Sequence, residues 1–212
     1  KKIEVIPFGV NLNLFNPNID GRPIRRRLGI KETDIVITST RPYYTHYNIK
    51  CLIKAIPLIL KRYKNVKFII KGLGEQEDYL KDLVRKLNVS GNVRFLEPVP
   101  YQEIAQYLKA ADIYVSTSFV DSTSVSLLEA MACGLPSVTT DIPGNREWIQ
   151  DKVNGLLYPP KDHGALAEKI TQLIEDSGLR KRFGERSHRI ITEKAAWEKC
   201  VSKMEAVYQS MS

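Results

Sequence analysis

The sequence predicts an α/β fold built on a doubly wound parallel sheet, and three observations predict it. Short apolar runs rich in β-branched residues alternate with helical patterns along the chain. That alternation implies βαβ units rather than hairpins. Polar residues suited to binding, Arg41, Gly72, Glu97 and Asp121, each fall just after an apolar run. In an open parallel sheet those positions converge on the carboxyl edge, where ligands sit.

The elements follow in order. Residues 2–17 read as a short strand and a loop. Arg22, Arg25, Arg26 and Arg27 mark a short basic segment. It reads as a solvated helix or as a surface drawn to anionic lipid or lipid phosphate. Strands are expected at 35–39, 67–71, 93–96, 113–116, 137–140 and 156–158. Ile49, Leu52, Ile53, Ile56 and Ile59 mark the helix after the first strand, interrupted by Pro57. Tyr79, Leu80, Leu83, Val84 and Leu87 mark a second helix, and Ile104, Tyr107, Leu108 and Ala111 a third. Further helices are expected near 165–176, 178–191 and 195–211. The last carries an apolar stripe of Trp197, Cys200, Val201, Met204 and Val207.

The stretch 121–136 reads Asp-Ser-Thr-Ser-Val-Ser-Leu-Leu-Glu-Ala-Met-Ala-Cys-Gly-Leu-Pro. It predicts a loop after the strand 113–116, then a helix over 124–133 that is apolar nearly all round and therefore buried. Glu129 sits inside that helix, and a buried carboxylate is costly unless something hydrogen-bonds it. A helix start offers free N–H groups and a positive dipole end to an anion. Ser122, Thr123 and Ser124 also serve as N-caps. An anion cradle, a buried acceptor and the loop acid Asp121 suit a phosphorylated ligand with hydroxyls, such as a sugar nucleotide. The alternatives are a structural ion pair for Glu129 and a solvated or capping role for Asp121.

These residues resemble the signature of retaining GT-B glycosyltransferases, especially glycosyltransferase family 4. There an acid is followed eight positions later by a Glu within Leu-Glu-Ala-Met-Ala-Cys-Gly-x-Pro; here the pair is Asp121 and Glu129. The family usually has Glu at the first position and Gly-Phe-Gly after it, where this chain has Ser122, Thr123 and Ser124. The resemblance covers roughly residues 3–208. It implies a Rossmann-like domain, the single C-terminal domain of a GT-B fold. It implies residues 1–17 as an interdomain linker and 18–192 as the nucleotide-sugar-binding domain. Residues 193–212 would be a helix crossing to a missing N-terminal, acceptor-binding domain of the same polypeptide. The other reading is a complete small Rossmann-like protein.

The resemblance also implies roles. Arg41 would hold the donor diphosphate and stabilise its leaving charge. The family's second cation, a Lys, is replaced by Tyr47. Glu129 would accept from the ribose hydroxyls, and Asp121 would face the transferred sugar. The backbone around Ser122, Thr123, Ser124, Val125 and Ser126 would cradle the sugar or the distal phosphate. Gly72 would let the backbone approach the nucleotide, and Pro98 and Val99 would lie near the base. The loop 141–147 is expected to close the rim. The expected reaction is sugar transfer from a nucleoside diphosphate sugar with retention, in polysaccharide or glycolipid synthesis, with no metal and no other cofactor. The fragment alone is expected to be inactive. The alternative is a degenerate domain that binds a nucleotide or phosphosugar without turnover, motivated by Asp121 and the missing Lys.

Composition narrows the classes. No apolar run approaches the roughly 20 residues a bilayer span needs. Neither a signal peptide nor a metal-ligand grouping is expected. Cys51, Cys133 and Cys200 are odd in number and lie in apolar or helical stretches. They read as buried thiols in a reducing compartment. The net charge of +8 comes without any nucleic-acid module pattern, so nucleic acid is not an expected partner. The expected setting is the cytoplasm, with peripheral attachment to the inner membrane face as an option. His46, His163 and His188 lack a nucleophile motif around them, which leaves hydrolase chemistry unsupported.

Overall fold

A computed structural model of the chain describes residues 3–210. Six strands form one parallel sheet: β1 (Ile35–Ser39), β2 (Val66–Lys71), β3 (Val93–Leu96), β4 (Ile113–Ser116), β5 (Ser137–Thr140) and β6 (Gly155–Tyr158). Their order is β3-β2-β1-β4-β5-β6. The chain winds outward from β1 to β3, then returns to lay β4 against β1, with Ile37 beside Ile113. The reversal between β1 and β4 splays their following loops apart and opens a crevice at their carboxyl ends.

Side-chain alternation divides the core. Ile37, Phe68, Ile70, Ile113 and Val115 point to one face, against α2 (Ile49–Leu60), α3 (Glu77–Lys86) and α7 (His163–Glu175). Val36, Ile69 and Tyr114 point to the other. There they meet α1 (Arg22–Arg27), α4 (Ile104–Lys109) and α5 (Val125–Ala132), with Ile191 of α8 (Ser177–Lys194) in the same core as α5. The period of two assigns successive residues to opposite faces, so the apolar residues of one strand feed two cores. A one-turn helix, α6 (Pro143–Arg146), and a final helix, α9 (Trp197–Gln209), complete the elements.

Three expectations need correction. Among the described residues of the 2–17 segment there is no strand; Val10 makes one isolated bridge with Ala196. Pro7 and Gly9 break the apolar run, and Gly9 lies so near α9 that an added Cβ would sit 2.7 Å from the Trp197 Cα. That bridge also delays the last helix to Trp197, because Ala196 is held extended. Of the expected linker and terminal helix, Lys1, Lys2, Met211 and Ser212 lie outside the described residues.

The basic segment is a short helix exposed at Arg22, Arg26 and Arg27, as one of its two readings expects, but Arg25 is drawn inward. Arg25 donates to the carbonyls of Ala110 at 2.8 Å and Asp34 at 3.0 Å, and to the Asp112 carboxylate at 2.7 Å. Arg27 bonds the Tyr107 hydroxyl, and Arg22 pairs with Asp20. Arg25 ties α1 to the amino ends of β1 and β4, at the edge opposite the crevice. Cys51, Cys133 and Cys200 are free and buried. No helix among the described residues is long and apolar enough to cross a membrane.

Candidate functional site

The crevice between β1 and β4 gathers most of the expected residues. Arg41 follows β1 and is 6% exposed. Its Nη1 donates to Ser124 Oγ at 2.8 Å and to Ser126 Oγ at 3.0 Å, and its Nη2 pairs with the Asp121 carboxylate. The guanidinium lies over the Tyr47 ring, 4.2 Å from its centroid. Tyr47 therefore faces the site as a stacking platform, a contact that suits Arg. The Arg41–Asp121 pair ties the loop after β1 to the loop after β4. Both side chains are largely buried, so removing one would leave the other charge uncompensated.

Ser124 is the N-cap of α5, accepting from Leu127 N at 3.4 Å. Its hydroxyl thus serves the helix and Arg41 together. Ser126 also bonds the Tyr114 hydroxyl at 2.8 Å. Val125 is exposed in the first turn, and Ser122 is exposed in the loop before it. Thr123 is half-buried between them. The helix α6 closes against this loop: a Cβ on Gly144 would fall 2.2 Å from the carbonyl oxygens of Asp121 and Ser122. Only glycine permits that approach, so the 141–147 segment does border the site.

Glu129 is 5% exposed inside α5. Burial pushes its carboxyl up to about 7, offset in part by a hydrogen bond from Tyr101 and by the charge of Lys71. Among the described residues Glu129 makes none of the ion pairs within 4.0 Å considered from sequence; Tyr101 is its partner instead. Tyr101 is 49% exposed and its ring packs edge-on against Phe15. A phenol that bridges solvent and a buried acid is displaceable, which leaves Glu129 a route to a ligand.

Next to this lies a cleft of about 280 Å³ lined by Thr40, Pro42, Tyr44, Lys71, Gly72, Leu73 and Pro98. Gly72 and Pro98 are therefore brought together as expected. Gly72 has a structural reason as well: an added Cβ would meet the Arg41 carbonyl oxygen at 2.4 Å. Val99 does not line this cleft; its side chain packs with the Ile24 and Tyr107 core, and the contact expected of it is a main-chain one. Thr40 Oγ1 and Arg41 Nε are buried beside the cleft without partners. Unpartnered buried groups of this kind are what an arriving polar ligand satisfies.

Sequence reasoning missed Tyr101 and Lys71, and at Ser126 it pointed to the backbone rather than to the hydroxyl. A lysine ending an apolar strand directly before Gly72 was a usable signal for Lys71. The Ser126 hydroxyl had one too, in the serine-rich helix start. Nothing local marks Tyr101, whose role depends on the packing of Phe15. Among the described residues no group of three His, Cys, Asp or Glu side chains is placed to hold a metal ion.

Comparison with known proteins bears on this geometry. The family model for glycosyl transferases group 1 matches residues 20–189. The chain is 31% identical over 211 residues to an uncharacterised glycosyltransferase of Methanocaldococcus jannaschii, covering 98% of this chain and 54% of that protein. Sucrose-phosphate synthase from Thermosynechococcus elongatus is similar in fold, with a TM-score of 0.90 at 23% identity, over 98% of this chain and 52% of that one. So is Anabaena HepE in complex with UDP-glucose, with a TM-score of 0.89 at 24% identity, over 98% of this chain and 57% of that one. The chain thus spans about half the length of the relatives it matches. Its six-stranded parallel sheet is the C-terminal Rossmann-like domain of a GT-B fold, and the chain belongs to the glycosyl transferases group 1 family.

Proposed function

We propose that this chain is the donor-binding half of a glycosyltransferase of family 4 that takes a sugar from a nucleoside diphosphate sugar, with retention. One observation carries the reading: Arg41 and the amino end of α5 meet at the β1–β4 reversal, with Asp121 and Glu129 on either side. The diphosphate would sit against the α5 N–H groups and the guanidinium, whose Nε is unpartnered. The ribose hydroxyls would replace the Tyr101 phenol on Glu129. Displaced from Arg41 by the diphosphate, Asp121 would turn to the sugar. The bond from the anomeric carbon to the diphosphate oxygen breaks while the acceptor oxygen bonds on the same face. The acceptor proton passes to the departing diphosphate, and the leaving charge is what Arg41 and the helix end stabilise.

HepE was solved with UDP-glucose, and the relative from Kribbella flavida is a D-inositol 3-phosphate glycosyltransferase. The first supports a nucleotide-sugar donor and the second supports sugar transfer; the role in polysaccharide or glycolipid synthesis rests on the family resemblance. In the whole enzyme α9 would cross to the acceptor-binding domain, and this half alone would bind donor without transferring it. The closed Arg41–Asp121 pair favours one rival, a domain that holds a nucleotide without turnover. Calorimetry with UDP, GDP and ADP tests the binding reading. Saturable heat with one of them, abolished by Arg41→Ala, is the expected result, and no heat at millimolar nucleotide defeats it. Donor hydrolysis by the intact polypeptide separates the enzyme from the rival.

A further inference from the structure

A second polar cavity lies on the same sheet edge but on the α2–α7 side. It measures about 370 Å³ and is lined by Asn48, Lys50, Cys51, Lys54, Phe119, Lys161 and His163. The first turns of α2 and α7 both open there, each from a helix long enough to carry a dipole. No side chain caps α2. Among the described residues, none of Lys50, Lys54 and Lys161 has a carboxylate partner within 4.0 Å; Lys161 leans over the Phe119 ring at 5.3 Å. Asp162 adjoins the cavity but spends Oδ1 capping α7 at Ala165 N, 2.8 Å away.

A further observation points to a ligand. Asn48 is 2% exposed, and its Nδ2 is buried without a hydrogen-bond partner. A buried amide left unbonded costs about 1–3 kcal/mol. The backbone of Asn48 is left-handed, with φ of 51°, which explains why Asn or Gly stands there. It does not explain a buried amide with nothing to bond on a residue that lines a cationic cavity. Three ammonium groups, two helix amino ends and this donor all ask for the same thing, a compact polyvalent anion.

We propose that this cavity is a phosphate-binding site distinct from the donor crevice, taking a phosphate group borne by a lipid headgroup or free in solution. It is joined to the crevice by one turn of chain: Tyr47 stacks on Arg41, and Asn48 follows it. Thr117 Oγ1 bonds the Tyr47 carbonyl at 2.7 Å, and Phe119 N bonds the His46 carbonyl at 2.8 Å. These bonds fix the turn from both sides, so the two sites share a rigid wall.

Amide NMR titration of the chain with inorganic phosphate, with chloride as control, tests the site. Saturating shifts centred on Ile49, Lys50, His163 and Gly164 are expected. Lys50→Ala with Lys161→Ala should weaken them about tenfold or more, as loss of charge-assisted bonds implies. Asn48→Gly keeps the left-handed backbone and removes only the amide, and should weaken them severalfold. Neither variant should alter UDP binding, which also shows that each is folded. Flotation with phosphatidylcholine vesicles, with or without phosphatidic acid, separates the sources. Lysine-dependent binding to the acidic vesicles alone, without saturation by free phosphate, assigns a headgroup; saturation by free phosphate assigns a soluble one. Shifts that do not saturate or centre elsewhere, together with vesicle binding that is absent or unchanged in the lysine variant, overturn the proposal. So do phosphate shifts that persist unweakened in both variants.

Discussion

Helices α5 and α9 both carry apolar residues along their length, yet α5 buries every residue from Leu127 to Ala132 while α9 buries only Cys200. Trp197, at the start of α9, is 53% exposed, and Met204 is exposed a few turns on. Phe8, Val5 and Ile3 lie exposed on the segment that leads into the Val10 bridge with α9. The first helix is satisfied by this chain, wedged between β4, β5 and α8. The second has only part of a partner. That exposed apolar stripe is what the proposed crossing to a second domain would cover. An apolar stripe thus says that a helix packs, and only the fold says against what.

Four substitutions sharpen the contrast. Leu128→Ala should have the largest effect, a loss of about 3 kcal/mol in urea unfolding, because a buried leucine leaves a cavity that its neighbours do not fill. Loss of less than a third of that would mean α5 is packed as loosely as α9.

Glu129→Gln should stabilise, and the gain should depend on pH. The folded carboxyl titrates near 7 against an ordinary 4.5. Between those values the folded chain holds a proton that the unfolded chain has released, so stability falls as pH rises through the window and stays lower above it. The amide does not titrate, so the substitution removes the slope and should gain about 2 kcal/mol at pH 8. Melting curves of both proteins from pH 5 to pH 8 check this; parallel curves would show that Glu129 is not a buried acid. Donor binding should run the other way in the parent, tightening as pH climbs past about 7, because only the carboxylate accepts from two hydroxyls.

Ser124→Ala removes the α5 cap and should cost about 1 kcal/mol, together with weaker nucleotide binding through Arg41. Trp197→Ala should cost least, under about 1 kcal/mol, since much of the ring is in solvent. A larger loss would mean that α9 is already held by this chain as firmly as α5.

Much of the site was legible because its logic is local. Asp121, the capping serines and Glu129 stand on one loop and one helix, so spacing alone put them together. Arg41 and Gly72 were legible because parallel strands present their carboxyl ends to one edge. Tyr101 was not, because its hydroxyl reaches Glu129 only through packing against Phe15, 86 positions earlier in the chain. Arg25 misled for the same reason. Its run of arginines is exposed at Arg22, Arg26 and Arg27, and only Arg25 is met by Asp112 and the carbonyl of Ala110, far along the chain.

The sequence by itself determined the alternation of strands and helices, the gathering of Arg41, Gly72 and Asp121 at the carboxyl edge, and the burial of α5. Each of these depends on the period of side chains along one element. Only the tertiary structure decided that Arg41 grips Asp121 and Ser124, that Glu129 waits under a phenol, and that Lys50 and Lys161 share a cavity. Those outcomes depend on β4 returning to lie beside β1 and α7 beside α2. The order of strands in a sheet is a choice among distant partners, made by the burial of two cores at once, and no local pattern encodes it.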